Sequence, residues 1–420
     1  MKRYKYIFLA FLCFPCVLQA EVQMRYHGAV TAGCYMKGSI ADGWIGQRPI
    51  LGGEVAVEFL PTGRWESLQW YNNASVGIAF DYLNLTNDKY LGQAFAPYIY
   101  MNVPLVNLPH FVLGIRPGIG VGFVDKTYYN TVPTEEKGVP GSIRYPTSNG
   151  AIGSHTNAYF AEALYMEFPI KRGFAITASY GWYHISNGSI RQPNSGYNMF
   201  NGMIGLAYTP HEDRYTAPET HVPKHLYEGK RWDVEISASG GVRQAYFADN
   251  RYFGVGALSV SAHWRPWSIF KIGGGVDVFF DGYYRSVCDE FATDNQLVTL
   301  FGKTYLRESR IENCFRVGLS LQPEFIVGNF TAGIHFGVYL YDNIKNLEPY
   351  TDVEDNGGKK LHRGVFYAYD ILNAGVRQDG WLYTRILLKY RCTEHLFVQL
   401  GMKAHLTKVE FIDAGLGICF

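Results

Sequence analysis

The sequence has no excess of charge of either sign, because 38 Lys and Arg residues stand against 37 Asp and Glu residues. Nucleic-acid backbones are held by basic residues, so this balance disfavours DNA or RNA as a partner. Beyond residue 20 there is no run of about 20 apolar residues, which excludes a bundle of transmembrane helices. Charged residues make up only 18% of the chain, and such a sequence is too apolar to remain disordered.

Glycine and aromatic side chains are abundant instead. The chain has 46 Gly, 32 Tyr and 27 Phe residues, and aromatics reach 16% of the 420 residues. Aromatic residues are enriched in strands, and glycine is frequent where backbones approach closely. The composition therefore favours a β protein.

The first twenty residues have the features of a secretory signal peptide. A basic start with Lys2, Arg3 and Lys5 precedes the apolar stretch Ile7–Val17, and the small residue Ala20 ends the segment. Cleavage there removes three basic residues and leaves 35 against 37 acidic ones. Five cysteines remain, and an odd number argues against a disulfide framework. Cys288 and Cys314 flank one predicted loop, and their pairing stays an open possibility.

Period-two alternation is clearest over residues 111–123. Odd positions from Phe111 to Phe123 are apolar, whereas the even positions from Gly114 to Gly122 hold Gly and one Arg. An apolar face opposite a small, partly polar face is typical of a membrane barrel strand with lipid outside. The final segment alternates in the same way and ends on Phe420, which resembles the terminal signal of bacterial outer-membrane barrel proteins.

About sixteen such segments are predicted. They cover approximately 24–38, 51–60, 74–85, 92–103, 110–124, 156–168, 173–186, 197–209, 231–242, 252–265, 269–281, 313–326, 329–341, 380–391, 395–406 and 410–420. Short connections alternate with long ones such as 125–155, 282–312 and 343–379, as periplasmic turns alternate with outer loops. We therefore expect an all-β antiparallel transmembrane β-barrel whose odd-numbered strands run outward.

The segments fall into two sets of eight. Residues 21–209 form one unit and residues 231–420 a second, with a polar linker over 210–230. The pattern is compatible with two small barrels or with one barrel of about sixteen strands.

One group of residues suggests chemistry. His184 and Ser186 continue the even, lipid-facing series of the seventh segment, and residues two apart share a strand face. Asn198 is in phase with the apolar face of the eighth segment, and a symmetric hairpin places it opposite Ser186. A serine needs a base within hydrogen-bond reach, and the base needs an orienting group. Asn187 and Asn194 in the hairpin loop offer amide donors for an oxyanion. The alternative is an ordinary interfacial belt of polar and aromatic residues.

These residues resemble the PagL-type lipid A deacylases of the outer membrane. The similarity rests on His184-Ile-Ser186-Asn187-Gly188, on Pro193-Asn194-Ser-Gly196 and on Asn198. It implies an eight-stranded barrel that hydrolyses an ester-linked acyl chain of lipid A. It also implies that Ser186 is the nucleophile, His184 the base, Asn194 an oxyanion donor and Asn187 a supporting polar residue.

Two features depart from that family. Its acidic triad member falls on Asn198, which is an amide. An Asn carbonyl orients an imidazole without stabilising its cation by charge. The second half is extra, and its His405, beside Lys403, falls on the lumen-like face with no serine at the required spacing. We expect residues 231–420 to be non-catalytic.

No cofactor and no metal site are expected. His155, His211, His221 and His225 are scattered through loops without ligand spacing. The expected partners are lipid A or lipopolysaccharide and the outer membrane itself, with no nucleic acid. Two hypotheses follow: a membrane-embedded serine esterase acting on lipid A, and a non-enzymatic pore, adhesin or receptor with a degenerate deacylase motif.

Overall fold

The computed structural model describes most of both predicted units. The described residues are 23–36, 48–61, 66–138, 148–210, 229, 231–245, 247, 250–285, 311–342, 382–405 and 408–420. The signal peptide over 1–20, most of the linker over 210–230 and Cys288 lie outside them. So do most of the long connection at 282–312 and all of the connection at 343–379.

Sixteen strands run through the described residues. The first eight are β1 (Met24–Tyr35), β2 (Ile50–Phe59), β3 (Ser75–Asn84), β4 (Gln93–Leu108), β5 (Phe111–Val124), β6 (Thr156–Pro169), β7 (Phe174–Ser186) and β8 (Tyr197–Tyr208). The next eight are β9 (Trp232–Arg243), β10 (Phe253–Trp267), β11 (Phe270–Asp281), β12 (Phe315–Val327), β13 (Phe330–Asp342), β14 (Leu382–Arg391), β15 (Leu396–His405) and β16 (Lys408–Cys419). Each predicted segment contains one strand, and the largest difference is at the end of β4, which continues to Leu108 rather than residue 103.

Helices are short and lie in the connections. One turn, α1 (Glu66–Gln69), precedes β3, and another, α2 (Tyr128–Thr131), follows β5. A 3-10 turn covers Thr134–Glu136 and a second covers Ile311–Cys314. Among the described residues, no helix has the length and apolar character needed to cross a membrane.

The strands form two closed antiparallel barrels of eight strands each. The eighth strand returns to the first, with pairs running from Tyr26 opposite Tyr208 to Tyr35 opposite Met199. In the second barrel β16 pairs with β9. Of the two arrangements that the sequence left open, two small barrels are therefore correct and a single sixteen-stranded barrel is not.

Side chains alternate between the outside and the inside of each barrel, as the sequence predicted. In β7 the even positions Phe174, Ile176 and Tyr180 are exposed, whereas the intervening odd positions are buried. An exposed apolar wall around a closed sheet is the surface that a hydrocarbon layer covers. Each backbone hydrogen-bond ladder closes on itself, so neither barrel has a free edge in lipid.

The lumen of the first barrel is filled by a hydrogen-bonded charge network. Arg116 Nη1 lies 3.2 Å from a carboxylate oxygen of Glu54, and Arg116 Nη2 lies 3.5 Å from Glu58. Tyr100 donates to Glu58 at 2.7 Å, and Tyr98 donates to Glu54. Buried charges persist only when they are paired, and these side chains satisfy one another.

The second lumen contains a separate network. The Lys389 ammonium lies 2.6 Å from carboxylate oxygens of both Glu235 and Glu324. Arg385 lies 2.9 Å from Asp413 at another level of the lumen. Eight-stranded barrels have interiors just wide enough for side chains to fill, and both lumens are occupied in this way.

The two barrels contact each other at both of their ends. At the short-turn end, the Tyr71 hydroxyl donates to the backbone carbonyls of Ile269 at 3.2 Å and Ile326 at 2.9 Å. At the long-loop end, the rings of Tyr128 and Phe247 meet edge to face at 5.5 Å. The ring contact joins the connection after β5 to the connection after β9, whereas the Tyr71 bonds join the connection after β2 to the turn after β10 and to the end of β12.

Candidate active site

The site is built where β7 and β8 meet at the long-loop end of the first barrel. His184 lies directly opposite Asn198 in this ladder, and Ile185 lies opposite Tyr197. The prediction that Asn198 lies opposite Ser186 is therefore wrong by two residues of β7, which is one position along the outward-facing side. Ser186 has no partner in β8, because β8 begins at Tyr197, which lies opposite Ile185. Ser186 pairs with Ala158 of β6 on its other side.

The three side chains form one hydrogen-bonded chain. His184 Nδ1 lies 2.8 Å from Asn198 Oδ1, and His184 Nε2 lies 2.8 Å from Ser186 Oγ. An Asn oxygen only accepts, so Nδ1 carries the proton and Nε2 presents a lone pair to the serine hydroxyl. The imidazole is thus held in the tautomer that a general base requires.

Aromatic rings frame the imidazole on the barrel wall. The Trp182 ring stacks on the His184 ring at 5.2 Å with an interplanar angle of 16°. The Phe160 ring of the neighbouring strand lies 6.3 Å away. Ser186 is only 2% exposed. In such apolar surroundings a hydrogen bond is electrostatically stronger than in water, so this arrangement favours a well-ordered relay.

Residues 187–196 connect β7 and β8 and, as the candidate catalytic loop, are termed the catalytic loop. The Asn187 amide donates to Ser154 Oγ at 2.6 Å and to the Arg191 carbonyl at 2.8 Å, and its oxygen accepts from Arg191 N at 3.2 Å. These bonds engage the Asn187 side chain in holding the loop together.

Asn194 is tied to the same loop through its oxygen. Asn187 N donates to Asn194 Oδ1 at 2.9 Å, and Asn194 forms an isolated bridge with Ile152. With the oxygen engaged, the amide NH₂ of Asn194 is the end that donates. Gly196 has a φ of +73°, and a Cβ there would lie 2.7 Å from the His184 ring. Only glycine allows the loop to approach the imidazole this closely.

The second barrel holds the other side of the catalytic loop. Ser189 Oγ donates to the Val409 carbonyl at 2.8 Å, and Gln244 N donates to the Ser189 carbonyl at 2.9 Å. Gln192 N donates to Gln244 Oε1 at 2.9 Å. Sequence reasoning missed Gln244, because no local pattern relates a residue of one barrel to a loop of the other.

The second barrel itself has its charged residues turned inward. His405 is 3% exposed and Lys403 is fully buried, both in the lumen, as the alternation predicted. Lys403 pairs with Glu410, and His405 Nε2 lies 3.0 Å from the same carboxylate. These groups are separated from the outer wall by the sheet.

Two groups of donor atoms in the described residues are compact enough for a metal. One is Asp233, Glu235 and Cys419, and the other is Glu235, His263 and Glu324. The ammonium groups of Lys271 and Lys389 already pair with Glu235 and Glu324. This donor set does not fit an added cation. Of the four loop histidines considered from the sequence, His155 bonds the Val124 carbonyl at 2.8 Å, and the other three lie outside the described residues.

Two protein families match adjacent parts of the chain. The lipid A 3-O-deacylase (PagL) family matches residues 52–207, and the acyloxyacyl hydrolase C-terminal domain matches residues 232–351. The first match includes the catalytic loop and the three residues of the hydrogen-bonded chain. None of the curated proteins compared with the chain matches it.

Solved structures of an outer-membrane enzyme and of a porin are similar to parts of the chain. The crystal structure of the outer membrane enzyme PagL matches at 12% identity with a TM-score of 0.23, covering 43% of this chain and 98% of that one. Two mutants of Rhodopseudomonas blastica porin match at 9% and 10% identity with TM-scores of 0.15, each covering 95% of this chain and 100% of theirs. The chain is an outer-membrane β-barrel protein, by its family domains and its two closed, apolar-walled barrels.

Proposed function

Because residues 52–207 match the lipid A 3-O-deacylase (PagL) family and residues 232–351 match the acyloxyacyl hydrolase C-terminal domain, we propose that the chain is a serine esterase that removes an ester-linked acyl chain from lipid A. The observation that supports this proposal best is the geometry at His184. Its two ring nitrogens lie 2.8 Å from Ser186 Oγ and 2.8 Å from Asn198 Oδ1, on the outer wall of the barrel.

In the first step the Ser186 hydroxyl attacks the ester carbonyl. The bond from Oγ to the carbonyl carbon forms while His184 Nε2 accepts the hydroxyl proton. The carbonyl oxygen becomes an oxyanion, for which the Asn194 amide is the proposed donor. The tetrahedral intermediate then collapses, the bond to the sugar oxygen breaks, and His184 returns its proton to that oxygen.

The second step regenerates the serine. A water molecule gives a proton to His184 Nε2 and attacks the acyl-serine carbonyl. Collapse breaks the bond to Oγ, which takes the proton back, and a free fatty acid leaves. Throughout both steps Asn198 keeps Nδ1 protonated, as Asn does in Cys–His–Asn proteases, but adds no negative charge beside the imidazolium.

The position of the site favours a lipid substrate. Tyr180 and Phe200 stack at 6.0 Å on the outer wall below the relay, and Ile204 nearby is 67% exposed. Such a surface matches acyl chains packed against the barrel, whereas a water-soluble ester would have to enter the apolar layer. Lipid A presents an ester bond at the boundary between sugar and hydrocarbon.

One residue supports the non-enzymatic alternative: position 198 is Asn, whereas the family resemblance implies an acidic residue there. A pore is disfavoured because ion-paired side chains fill both lumens. An adhesin or receptor would need no ordered relay on the lipid-facing wall. The two hypotheses differ in one measurable respect, the loss of an acyl chain from the lipid.

The experiment uses purified full-length protein in detergent or vesicles with lipopolysaccharide. Mass spectrometry of the lipid A is expected to show loss of one acyl chain with the native protein and no loss with Ser186→Ala. Ser195→Ala, which changes an exposed hydroxyl of the same loop outside the relay, is the matched control and should retain turnover. Intact lipid A after incubation with the native protein, across several lipid A types, would overturn the proposal.

A further inference from the structure

One acidic residue lies on the outer wall of the first barrel, beside the relay. Along the eight described strands of that barrel, Glu162 is the single Asp, Glu, Lys or Arg whose side chain shares the outward-facing parity of the exposed apolar residues. The other acidic and basic strand residues of this barrel, such as Arg116, point into the lumen. An ionisable group facing hydrocarbon is costly, and it marks a functional position more often than a structural one.

The strand register places Glu162 next to the site. Glu162 lies opposite Trp182, and Phe160 lies opposite His184. Glu162 and His184 are therefore diagonal neighbours on the same face, with a Cα separation of about 7 to 8 Å. Glu162 is one outward-facing step from the row of the relay, or about 7 Å along the strand, on the side of the membrane interior.

The relay does not use this carboxyl group. Both nitrogens of the His184 ring are already engaged by Ser186 and Asn198, so Glu162 is not a displaced third member. The Glu162 side chain is exposed on the outer wall. It makes no hydrogen bond or ion pair with any of the described residues. A polar group in hydrocarbon needs a partner, and the lipid acyl chains that pack against this wall, among them the acyl chain of the substrate, can carry one.

We propose that Glu162 is a specificity residue that binds a hydroxyl group carried by the acyl chain a few carbons from the scissile ester. The distance of about 7 Å along the strand between the relay and Glu162 matches the length of the first few carbons of an acyl chain that extends from Ser186 towards the membrane centre. The hydroxyl group and the carboxyl group would hydrogen-bond to each other, and neither finds another hydrogen-bond partner in hydrocarbon. This inference rests on the proposed esterase function and adds which acyl chains the site selects.

The test compares two synthetic lipid esters of equal chain length, one with a hydroxyl at the third carbon of the acyl chain and one without. Full-length protein in mixed micelles is expected to favour the hydroxylated ester in kcat/KM by about tenfold, the value of one hydrogen bond of about 1.4 kcal/mol. Glu162→Leu is expected to abolish that preference. Glu162→Gln, which still forms a hydrogen bond, is expected to keep part of it.

Leu164→Ile, the next outward position on β6, is the matched control and should leave the preference intact. Removing a charge from the lipid face should not destabilise the barrel, so urea unfolding of Glu162→Leu in vesicles separates recognition from misfolding. A native protein that hydrolyses neither ester contradicts the proposed function. Hydrolysis of both esters with a ratio that Glu162→Leu leaves unchanged, or an equal fall for both esters, overturns the role of Glu162 alone.

Discussion

Asn198 lies directly across the β7–β8 ladder from His184, and its side-chain oxygen accepts a hydrogen bond from the imidazole at 2.8 Å. The amide occupies the orienting position of the relay without a charge. In serine hydrolases the residue at this position fixes the tautomer and also stabilises the imidazolium. Here the first contribution is present and the second is missing.

Replacing this amide by an acid should therefore increase activity. Asn198→Asp keeps the size and the accepting oxygen and adds a negative charge beside His184. We expect kcat for lipid A deacylation to rise by about tenfold, because a hydrogen bond to a charged acceptor is roughly twice as strong as one to a neutral acceptor. The measurement is the initial rate of fatty acid release. Asn198→Ala, which removes the acceptor, should fall below the native rate, and a gain of activity in Asn198→Ala would contradict this role.

The second barrel should contribute to catalysis through the catalytic loop. Gln244→Met keeps the side-chain length but removes the acceptor for Gln192 N, and we expect faster hydrogen exchange across residues 187–196. The kcat should fall by about tenfold, because small displacements of catalytic donors are costly, while KM changes less. Gln244→Glu retains the accepting oxygen and should restore most of the exchange protection.

Gln399→Met provides the matched comparison for this loop variant. Gln399 is also a buried glutamine of the second barrel, 4% exposed, but it lies in the lumen on β15. Its substitution should leave the exchange of the catalytic loop unchanged. Equal loop exchange in the native protein and in Gln244→Met would show that the contact does not hold the loop.

The lumen network of the first barrel should dominate its stability. Arg116→Met removes the buried cation that Glu54 and Glu58 share, although Arg25 stays beside Glu58, and breaking a buried ion pair costs about 3 to 5 kcal/mol. Urea unfolding in lipid vesicles should show a loss of that size in the free energy of unfolding. The exposed turn residue Arg172 offers a control, since Arg172→Met should change stability by about 0.5 kcal/mol or less. Equal stability of the two variants would refute the structural role of the network.

Alternation in the sequence was sufficient to predict the strands and the direction of their side chains. Tyr180 and Trp182 fall outside and Tyr183 falls inside because each strand has a period of two and one face meets lipid. The same rule brought His184, Ser186 and Asn198 to one face. This rule depends only on the spacing of residues along one strand, which can be read from a single sequence.

Features that depend on pairing between distant strands were not predictable in this way. Nothing local determines that β8 closes on β1, so the number of barrels depends on a pairing, Tyr26 opposite Tyr208, that no local pattern predicts. The register error at Asn198 has a similar origin, because the loop of residues 187–196 is shaped by contacts with Ser154 and Gln244. Those partners lie 33 and 52 residues away from the loop residues that they bind.

The most direct measurement of the central claim is covalent trapping of the serine. Full-length protein is incubated with a long-chain alkyl fluorophosphonate in detergent, digested and analysed by peptide mass spectrometry. The geometry predicts one adduct on Ser186, lost in Ser186→Ala and strongly slowed in His184→Gln, which removes the base but keeps the barrel. The absence of an adduct on Ser186 in the native protein, or labelling that is just as fast in His184→Gln, would contradict a nucleophile activated by His184 on the outer wall.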